Sequence, residues 1–443
     1  MELGVLALAH GVGGRQDLPI PFSAAMTGAV LALLMSFAAL GVLWTEPRLA
    51  GALAYTRPVA VRVQGLVSAP AWRWSWRLAG LLATAYFCVG LFFGPDRADN
   101  PTAGVFYVLF WVGLIPLSLL FGPVWRAVNP LRTVHLLACA ALRRDPRRGV
   151  RPLPEGLGYW PAAAGLFAFT WLELVAPGRA TLPVIGAWLA LYTVAMLAGA
   201  VVFGSGWFDK GDTFEAYSGL MGRLAPVGRN PDGTLTRRNP LHGMAGLEPA
   251  PGLVVLVIVL LGSTMYDSVS NAPFWVRFVQ DSAVPAPVLG TAGLVAVIGA
   301  VLAAYVAATA LAGRWGGAAP GSTAGELAHS IVPIAVGYLV AHYFTLLLLE
   351  GQRTIALLSD PLVTGADWLG TAGWTVGAAG TSPAGIAMLQ VTVIVVGHVM
   401  GTVLAHDRAL TLFPRRTAVL GQVPLLALMV LYTVTGLMLL FAA

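Results

Sequence analysis

The stretch VLGTAGLVAVIGAVLAAYVAATALA occupies residues 288–312 and contains no Asp, Glu, Lys or Arg. A helix of about 20 residues crosses the ~30 Å hydrocarbon core of a bilayer, so this stretch is long enough to span a membrane. The whole chain shares its character, since 57% of its 443 residues are hydrophobic and 10% are charged, with a mean hydropathy of +0.77. Soluble domains carry about 25% charged residues. Because the apolar runs are continuous and do not alternate, the sequence predicts an all-α integral membrane protein and not a β-barrel.

Ten apolar runs predict about ten transmembrane helices packed in one bundle. Residues 1–20 then form an outer N-terminal tail, and residues 21–443 form a single transmembrane domain. The predicted spans lie near residues 21–44, 76–94, 102–122, 159–176, 183–204, 251–266, 288–312, 327–349, 383–405 and 422–441.

The basic residues give the orientation of these spans. With the N-terminus outside, 21 of the 26 Lys and Arg residues lie in the inner loops, counted together with the inner end of the second span through Arg77. Acidic residues divide almost evenly between the two sides. Basic loops stay in the cytoplasm, so the sequence predicts a bacterial cytoplasmic (inner) membrane protein with both termini outside. The net charge of +6 is distributed by loop and does not indicate a nucleic-acid partner; the predicted partner is the lipid bilayer.

The first nine residues are apolar, and Ala7-Leu8-Ala9 resembles a signal-peptidase cleavage site. A secretory signal also needs a positive n-region and a longer apolar core, so an uncleaved outer tail is expected. The alternative is a start further upstream with cleavage after Ala9, which makes His10 the N-terminal residue. A free amine beside an imidazole is a strong copper ligand set, so His10 is a candidate metal ligand.

Ionisable and polar side chains inside the predicted spans are candidate functional groups, because such groups are costly in lipid. His342 and Gln390 fall in the outer halves of their spans, Glu173 near an outer end, and Asp267 just beyond the sixth span. His398 falls in the inner half of the ninth span. Histidine and carboxylates that open to the outside can hold a divalent metal or shuttle protons.

Structural explanations for the same residues stay open. A span histidine commonly donates a hydrogen bond to a neighbouring carbonyl, and His398 lies beside Gly397 and Gly401, a small-residue pair typical of close helix packing. Glu173 is close enough to the predicted outer interface to meet water.

The histidine positions argue against a haem. At about 1.5 Å per residue, His342 and His398 are offset by ~10 Å along the predicted spans. The step from His329 to His342 turns a helix by about 220°, so those two side chains lie on different faces. Neither pair is predicted to ligate one iron.

Motifs of common enzyme classes are absent from the sequence. It contains no Walker A sequence, no G-x-S-x-G elbow, no H-E-x-x-H helix and no G-x-G-x-x-G after a strand. Cys88 falls in a span and Cys139 in an inner loop, so neither a disulfide nor a cysteine metal site is expected.

Several strings together resemble one family of polytopic membrane proteins from GC-rich, actinobacterial-type bacteria, described as fenitrothion hydrolase-like. The strings are Ala9-His10-Gly11, Arg15-Gln16-Asp17-Leu18-Pro19-Ile20-Pro21, Gly122-Pro123-Val124-Trp125-Arg126, Asn129-Pro130, Gly262-Ser263-Thr264, Ala341-His342-Tyr343-Phe344 and Ala405-His406-Asp407-Arg408. The resemblance covers nearly the whole chain and implies hydrolysis of an organophosphate triester at a membrane, without an established set of catalytic residues.

Triester hydrolysis needs a metal-activated water and a Lewis acid on the phosphoryl oxygen. As a membrane hydrolase, the protein is expected to use His342, Asp267 and Glu173 as catalytic residues. His10, Asp17 and His342 are then the candidate ligands of a divalent metal.

Two other functions stay open. A transporter or metal-handling permease for a small solute or ion fits ten spans with sparse polar residues, and Gln390, His398, Tyr338 and His342 then line its path. A non-catalytic assembly factor or partner subunit of a membrane complex fits the lack of any enzyme motif, and its partner is another protein.

Overall fold

The computed structural model describes residues 17–49, 56–230, 232–318, 321–377 and 380–441. Helices dominate these residues, and nine helical stretches among them are long and apolar enough to cross a bilayer, one of which, Thr102–Phe121, consists of several segments. The predicted all-α membrane class is therefore confirmed.

The chain forms two compact units. The first unit comprises Met1–Ala54, Leu241–Thr345 and Ala378–Ala443, and the second comprises Tyr55–Pro240 and Leu346–Gly377. The single transmembrane domain over residues 21–443 stays a prediction.

Helices account for most of the chain, and three short strands lie between them. In chain order the helices are α1 (Phe22–Leu43), α2 (Val61–Ser68), α3 (Pro70–Phe93), α4 (Thr102–Gly104), α5 (Leu114–Phe121), α6 (Val124–Val128), α7 (Pro130–Ala141), α8 (Trp160–Leu174), α9 (Leu182–Phe203), α10 (Trp207–Gly211), α11 (Thr213–Gly222), α12 (Pro240–Ala245), α13 (Leu253–Ser270), α14 (Pro273–Asp281), α15 (Ala286–Gly316), α16 (Thr323–Leu357), α17 (Pro383–Leu412) and α18 (Ala418–Leu440). The strands are β1 (Arg57–Pro58), β2 (Val227–Arg229) and β3 (Leu235–Arg237).

The helices cover the predicted spans for most of their lengths, but several ends differ by four residues or more. α3 begins at Pro70, six residues before the predicted start at 76, and α16 continues to Leu357, eight residues past the predicted end at 349. The fourth predicted span, 159–176, corresponds to α8, whose 15 residues reach about 22 Å and fall short of the ~30 Å core. The sixth span continues past Tyr266 to Ser270, and the ninth continues to Leu412. The ends differ because polar residues can continue a helix beyond its apolar part. The length of an apolar run alone therefore does not locate the ends of the helix.

The third predicted span is not a regular α-helix. It contains α4, a π-helical segment (Val105–Val112) and α5. Pro116 lies in the first turn of α5, and it has no backbone N–H to donate to the carbonyl four residues earlier. The wider i→i+5 bonding directly before Gly113, whose N–H donates to the Val108 carbonyl, is the local response to this missing donor.

The core of the first unit is built around α18, which packs against α1, α13, α15 and α17. Close packing of α16 with α17 depends on glycines. A Cβ on Gly397 would lie 2.5 Å from the Pro333 carbonyl oxygen, and a Cβ on Gly337 would lie 2.5 Å from the Val393 carbonyl oxygen. The small-residue face predicted on the ninth span is therefore a helix-packing face.

The second unit contains a small antiparallel sheet that the sequence analysis did not predict. Its strand order is β1-β3-β2. The turn between β2 and β3 follows Asn230, whose carbonyl accepts from the Gly233 N–H, and Gly233 has a φ of +86°. Glycine adopts that left-handed conformation without steric cost.

Candidate functional site

The structure brings His342 and Asp267 together in the first unit. Nε2 of His342 lies 2.7 Å from Oδ2 of Asp267, and both residues are buried at 3% exposure. Asp267 lies in the last turn of α13, and His342 lies within α16. Two of the three predicted catalytic residues therefore form a buried hydrogen-bonded pair.

Further hydrogen bonds hold the Asp267 carboxylate in position. The Tyr343 hydroxyl donates to Oδ2 at 3.3 Å, and Nδ2 of Asn271 donates to Oδ1 at 3.1 Å. Nδ2 of Asn271 also donates to the Asp267 backbone carbonyl at 2.8 Å. Several donors on one carboxylate are what a buried ionisable group requires.

Ser268 and Tyr338 extend this arrangement on the other side of the imidazole. The Ser268 and Tyr338 hydroxyl oxygens lie 2.9 Å apart, and the Ser268 hydroxyl lies 3.4 Å from Nδ1 of His342. Tyr338 and His342 are four residues apart on α16, and their rings are nearly parallel. A neutral His342 that donates from Nε2 has an unprotonated Nδ1, which can accept from the Ser268 hydroxyl.

Gln390 and His398 lie buried on α17. Nε2 of Gln390 donates to the carbonyl of Ala341, the residue before His342, at 3.0 Å. Nδ1 of His398 donates to the Ile394 carbonyl at 2.9 Å. Among the described residues, neither Oε1 of Gln390 nor Nε2 of His398 has a hydrogen-bond partner.

His406 lies one residue before Asp407 near the end of α17. Its Nδ1 lies 2.9 Å from Oε1 of Gln422, and its Nε2 lies 2.8 Å from the Trp44 carbonyl oxygen. Oδ1 of Asp407 accepts from the backbone N–H groups of Arg48 and Leu49. These bonds join α17 to α18 and to the segment after α1.

The neighbours of Arg408 differ from those of Asp407. Nη1 of Arg408 contacts Oε2 of Glu326 at 3.1 Å, and Nη2 donates to the Ala245 carbonyl at 2.9 Å. His406 and Asp407 thus both bind the segment after α1, whereas Arg408 binds α16 and α12.

Glu173, the third predicted catalytic residue, belongs to α8 in the second unit. The catalytic trio therefore stays a prediction, with His342 and Asp267 as the two members in contact.

The predicted metal ligands are only partly described. Asp17 lies at the beginning of the described residues, and His10 lies outside them. Within the residues described, no three side chains of His, Cys, Asp or Glu are grouped to hold a metal ion. A divalent metal site at His10, Asp17 and His342 therefore stays a prediction.

Sequence reasoning missed a second buried polar cluster, which lies outside the membrane-spanning helices of the second unit. Nδ2 of Asn129 donates to Oδ2 of Asp212 at 3.0 Å. Arg132 binds Glu215 with two nitrogens, at 3.1 and 2.6 Å, and contacts Asp209 at 2.7 Å. The signal available in the sequence was Asp212-Thr213-Phe214-Glu215, which has the spacing of a helix-capping box.

Burial dominates the electrostatics of this cluster. It raises the pKa of Asp212, and it raises the pKa of Glu215 to about 7 even though Arg132 opposes the shift. Burial also disfavours the Arg132 cation, but the Glu215 and Asp209 carboxylates outweigh that effect and raise the pKa of Arg132. The cluster ties α7 to α10 and α11 and carries a carboxyl group that titrates near neutral pH.

Comparison of the chain with protein-family models, with curated proteins and with solved structures finds no match to any of them. The resemblance to the fenitrothion hydrolase-like family stays a prediction.

Proposed function

We propose that the first unit is a proton-conducting permease, in which polar side chains of α13, α16 and α17 form the proton path. The observation that carries the proposal is the pair of buried polar atoms without partners in the described residues, Oε1 of Gln390 and Nε2 of His398. Buried polar atoms that lack a protein partner are generally bonded to ordered water. Water beside a histidine inside a spanning helix is what proton transfer requires.

The spacing of polar groups on α17 supports a continuous path. Gln390, His398 and His406 follow one another at intervals of eight residues, and all three are buried. Each interval rises about 12 Å along a helix, so the three cover about 24 Å of a ~30 Å core. A few hydrogen-bonded waters are enough to bridge each interval. The path winds around α17 by about 80° at each step.

The His342–Asp267 pair supplies the ionisable end of this path. An imidazolium at His342 can pass its proton from Nε2 to the Asp267 carboxylate across the 2.7 Å contact. Gln390 is bonded to the residue before His342, so its amide lies beside the pair. Ionisable residues inside spanning helices characteristically serve ion pathways and proton relays.

The Ser268 contacts favour a second candidate, a membrane hydrolase. Ser268, His342 and Asp267 form a hydroxyl–imidazole–carboxylate series, with contacts of 3.4 and 2.7 Å. That series is the arrangement in which a carboxylate orients a histidine that activates a serine. The Ser268 hydroxyl also contacts Tyr338 and is buried, which favours a polar lining over an attacking group.

Proton flux into liposomes tests the permease. The purified full chain is reconstituted with a pH-sensitive dye inside, and a potassium diffusion potential drives protons inward. We expect flux above that of protein-free liposomes, and we expect His398→Leu to remove it. His329→Gln is the matched control, because His329 is also buried on a spanning helix but interacts with the backbone of both Glu326 and Leu404, whereas Nε2 of His398 has no partner in the described residues.

The more conservative variant His398→Gln covers the case in which the leucine variant does not fold, and it should also lose flux. Wild-type flux equal to that of protein-free liposomes would overturn the proposal, as would full flux in a folded His398 variant. The hydrolase has its own readout. Turnover of an aryl phosphotriester that Ser268→Ala abolishes, in a protein without proton flux, would identify the second candidate as correct.

A further inference from the structure

The three-stranded sheet of the second unit carries its arginines on one face. Arg57 of β1 and Val227 of β2 lie on either side of Arg237 of β3, and Arg229 pairs with Leu235. Paired residues and alternate residues of a strand point to the same side of a sheet, so these five side chains share a face. The three arginines are exposed. We call these five residues the arginine face.

The opposite side of the sheet is packed against the protein at β2 and β3, and Pro58 of the edge strand β1 is exposed there. Gly228 and Thr236 are buried there, and a Cβ on Gly228 would lie 2.3 Å from the guanidinium carbon of Arg238. Arg238 itself donates to the carbonyls of Gly222 and Arg223. The sheet therefore has one packed side and one side available to a partner.

Like charges lie opposite each other on the arginine face. Directly paired residues of antiparallel strands have Cβ atoms about 5 Å apart, and two like charges at that distance are unfavourable. Arg57 and Arg237 are such a pair. In the described part of the chain, no carboxylate lies within 4.0 Å of Arg57, Arg229 or Arg237. An anion from outside the protein would relieve this repulsion.

The chain connection places the sheet's neighbour α2 at a membrane surface. α2 ends at Ser68 and α3 begins at Pro70, so one residue separates α2 from a helix long enough to span the bilayer. The first two turns of α3 contain the residues typical of a membrane–water interface, Trp72, Arg73, Trp74, Trp76 and Arg77. α2 therefore lies close to the lipid headgroups.

Gln64 ties α2 to the sheet. Its Oε1 accepts from the Leu235 N–H at 2.8 Å, and its Nε2 lies 3.5 Å from the Gly233 carbonyl oxygen. α2 also exposes Val61 at 86% and Leu66 at 56%. Exposed aliphatic side chains beside arginines are typical of segments that lie in the headgroup region of a bilayer.

We propose that the arginine face, together with α2, binds the phosphate groups of anionic phospholipids at the membrane surface where α3 enters the bilayer. A guanidinium presents a fork of N–H donors that matches a phosphate, and Arg57 and Arg237 lie side by side to bind one headgroup. Val227 and Leu235 on the same face contact the acyl-chain boundary. An anionic surface attracts such basic segments over a Debye length.

Photocrosslinking to lipid tests the proposal. The full chain is reconstituted in bilayers that contain photoactivatable phosphatidylglycerol, and labelled peptides are mapped by mass spectrometry. We expect labelling within residues 57–66 and 227–237. The triple substitution Arg57→Gln, Arg229→Gln and Arg237→Gln should reduce that labelling by at least about five-fold, the effect expected of even one arginine.

Two controls make the result specific to the arginine face. The triple substitution Arg143→Gln, Arg144→Gln and Arg148→Gln removes the same exposed charge from another segment and should leave the labelling unchanged. Photoactivatable phosphatidylcholine should label these peptides weakly. Arg57→Gln alone covers the case in which the triple variant does not fold, and it should also lower the labelling.

Equal labelling by the two lipids would overturn the proposal, because it would show nearness to the bilayer without selection of anions. Unchanged labelling in the folded triple variant would overturn it as well. Loss of labelling in the Arg143, Arg144 and Arg148 variant to the same extent would show a general effect of net charge and would also contradict it. Crosslinks to an acidic protein in native membranes, without crosslinks to phosphatidylglycerol, would assign the surface to a different partner.

Discussion

Nε2 of His342 lies 2.7 Å from Oδ2 of Asp267, although 75 positions of sequence separate the two residues. They belong to different spanning helices, α16 and α13, so tertiary packing alone brings them together. In a water-poor environment each side chain stabilises the other. Removal of one partner leaves a buried polar or charged group without its main contact, and that is costly.

Asp267→Ala should therefore destabilise the protein by on the order of 3 kcal/mol, because it leaves the buried Nε2–H of His342 and the Tyr343 hydroxyl without this acceptor. Unfolding in mixed dodecylmaltoside and SDS micelles, followed by tryptophan fluorescence, measures the change. Tyr343→Phe is the control, because it removes one 3.3 Å hydrogen bond from the same carboxylate and should cost only about 1 kcal/mol. Equal unfolding midpoints for wild type and Asp267→Ala would show that the pair does not contribute to stability.

Gly397→Ala tests the close approach of α16 and α17. Its new methyl group would lie 2.5 Å from the Pro333 carbonyl oxygen, so the helices must separate. We expect a loss of about 1–3 kcal/mol, typical of an overpacked core, and a lower midpoint of thermal unfolding. Gly219→Ala in α11 meets nothing within 4 Å and should instead stabilise its helix by up to about 1 kcal/mol. A melting temperature for Gly397→Ala at or above that of wild type contradicts this packing.

The positions of the spans could be predicted because uncharged apolar runs of about 20 residues are typical of transmembrane helices. The small sheet could not, since β2 and β3 have three residues each and show no measurable alternation. Only the turn signal at Asn230 to Gly233 indicated a change of chain direction there. The shortness of α8 was equally hidden, because the apolar residues beyond its ends resemble those within it.

The sequence predicts how deep each polar residue lies in the membrane, but it does not predict which polar residues contact one another. His342, Asp267 and Glu173 were grouped because all three fall at similar predicted heights, and helix order within a bundle is not encoded in hydropathy. The structure brings two of them into contact and assigns Glu173 to the other unit. Asp212 and Glu215 were overlooked because carboxylates between spans are ordinarily solvated, whereas these two are buried against Asn129 and Arg132.

Glu215 should make stability depend on pH. Burial raises the pKa of its carboxyl group to about 7, whereas an unfolded glutamate titrates near 4.3. The folded state therefore binds the proton more tightly, and this contribution is complete below about pH 4.3 and is lost as the pH rises through about 7. The expected loss is on the order of 3 kcal/mol.

Thermal unfolding in detergent between pH 5 and 8 measures this contribution. The wild-type midpoint should fall as the pH rises, and Glu215→Gln should show a flatter profile because an amide does not titrate. Asp209→Asn should keep the wild-type profile, since Asp209 is a half-exposed member of the same cluster. Identical slopes for wild type and Glu215→Gln would contradict the assignment.

His406 is held between two hydrogen-bond acceptors. Nδ1 faces Oε1 of Gln422 at 2.9 Å, and Nε2 faces the Trp44 carbonyl oxygen at 2.8 Å. Nε2 of Gln422 donates to the Ala418 carbonyl at 2.6 Å, which holds the amide in place. Both ring nitrogens of the buried His406 are therefore in hydrogen-bond contact, one with α18 and one with the segment after α1.

Gln422→Leu should therefore destabilise the protein by about 1–3 kcal/mol, because it leaves Nδ1 of the buried His406 without its partner. Unfolding in mixed dodecylmaltoside and SDS micelles, followed by tryptophan fluorescence, measures the change. Thr392→Val is the control, because the exposed Thr392 hydroxyl bonds to a carbonyl of its own helix, and it should change stability by no more than about 0.5 kcal/mol. An unfolding midpoint for Gln422→Leu equal to that of wild type would show that the contact of His406 with α18 does not contribute to stability.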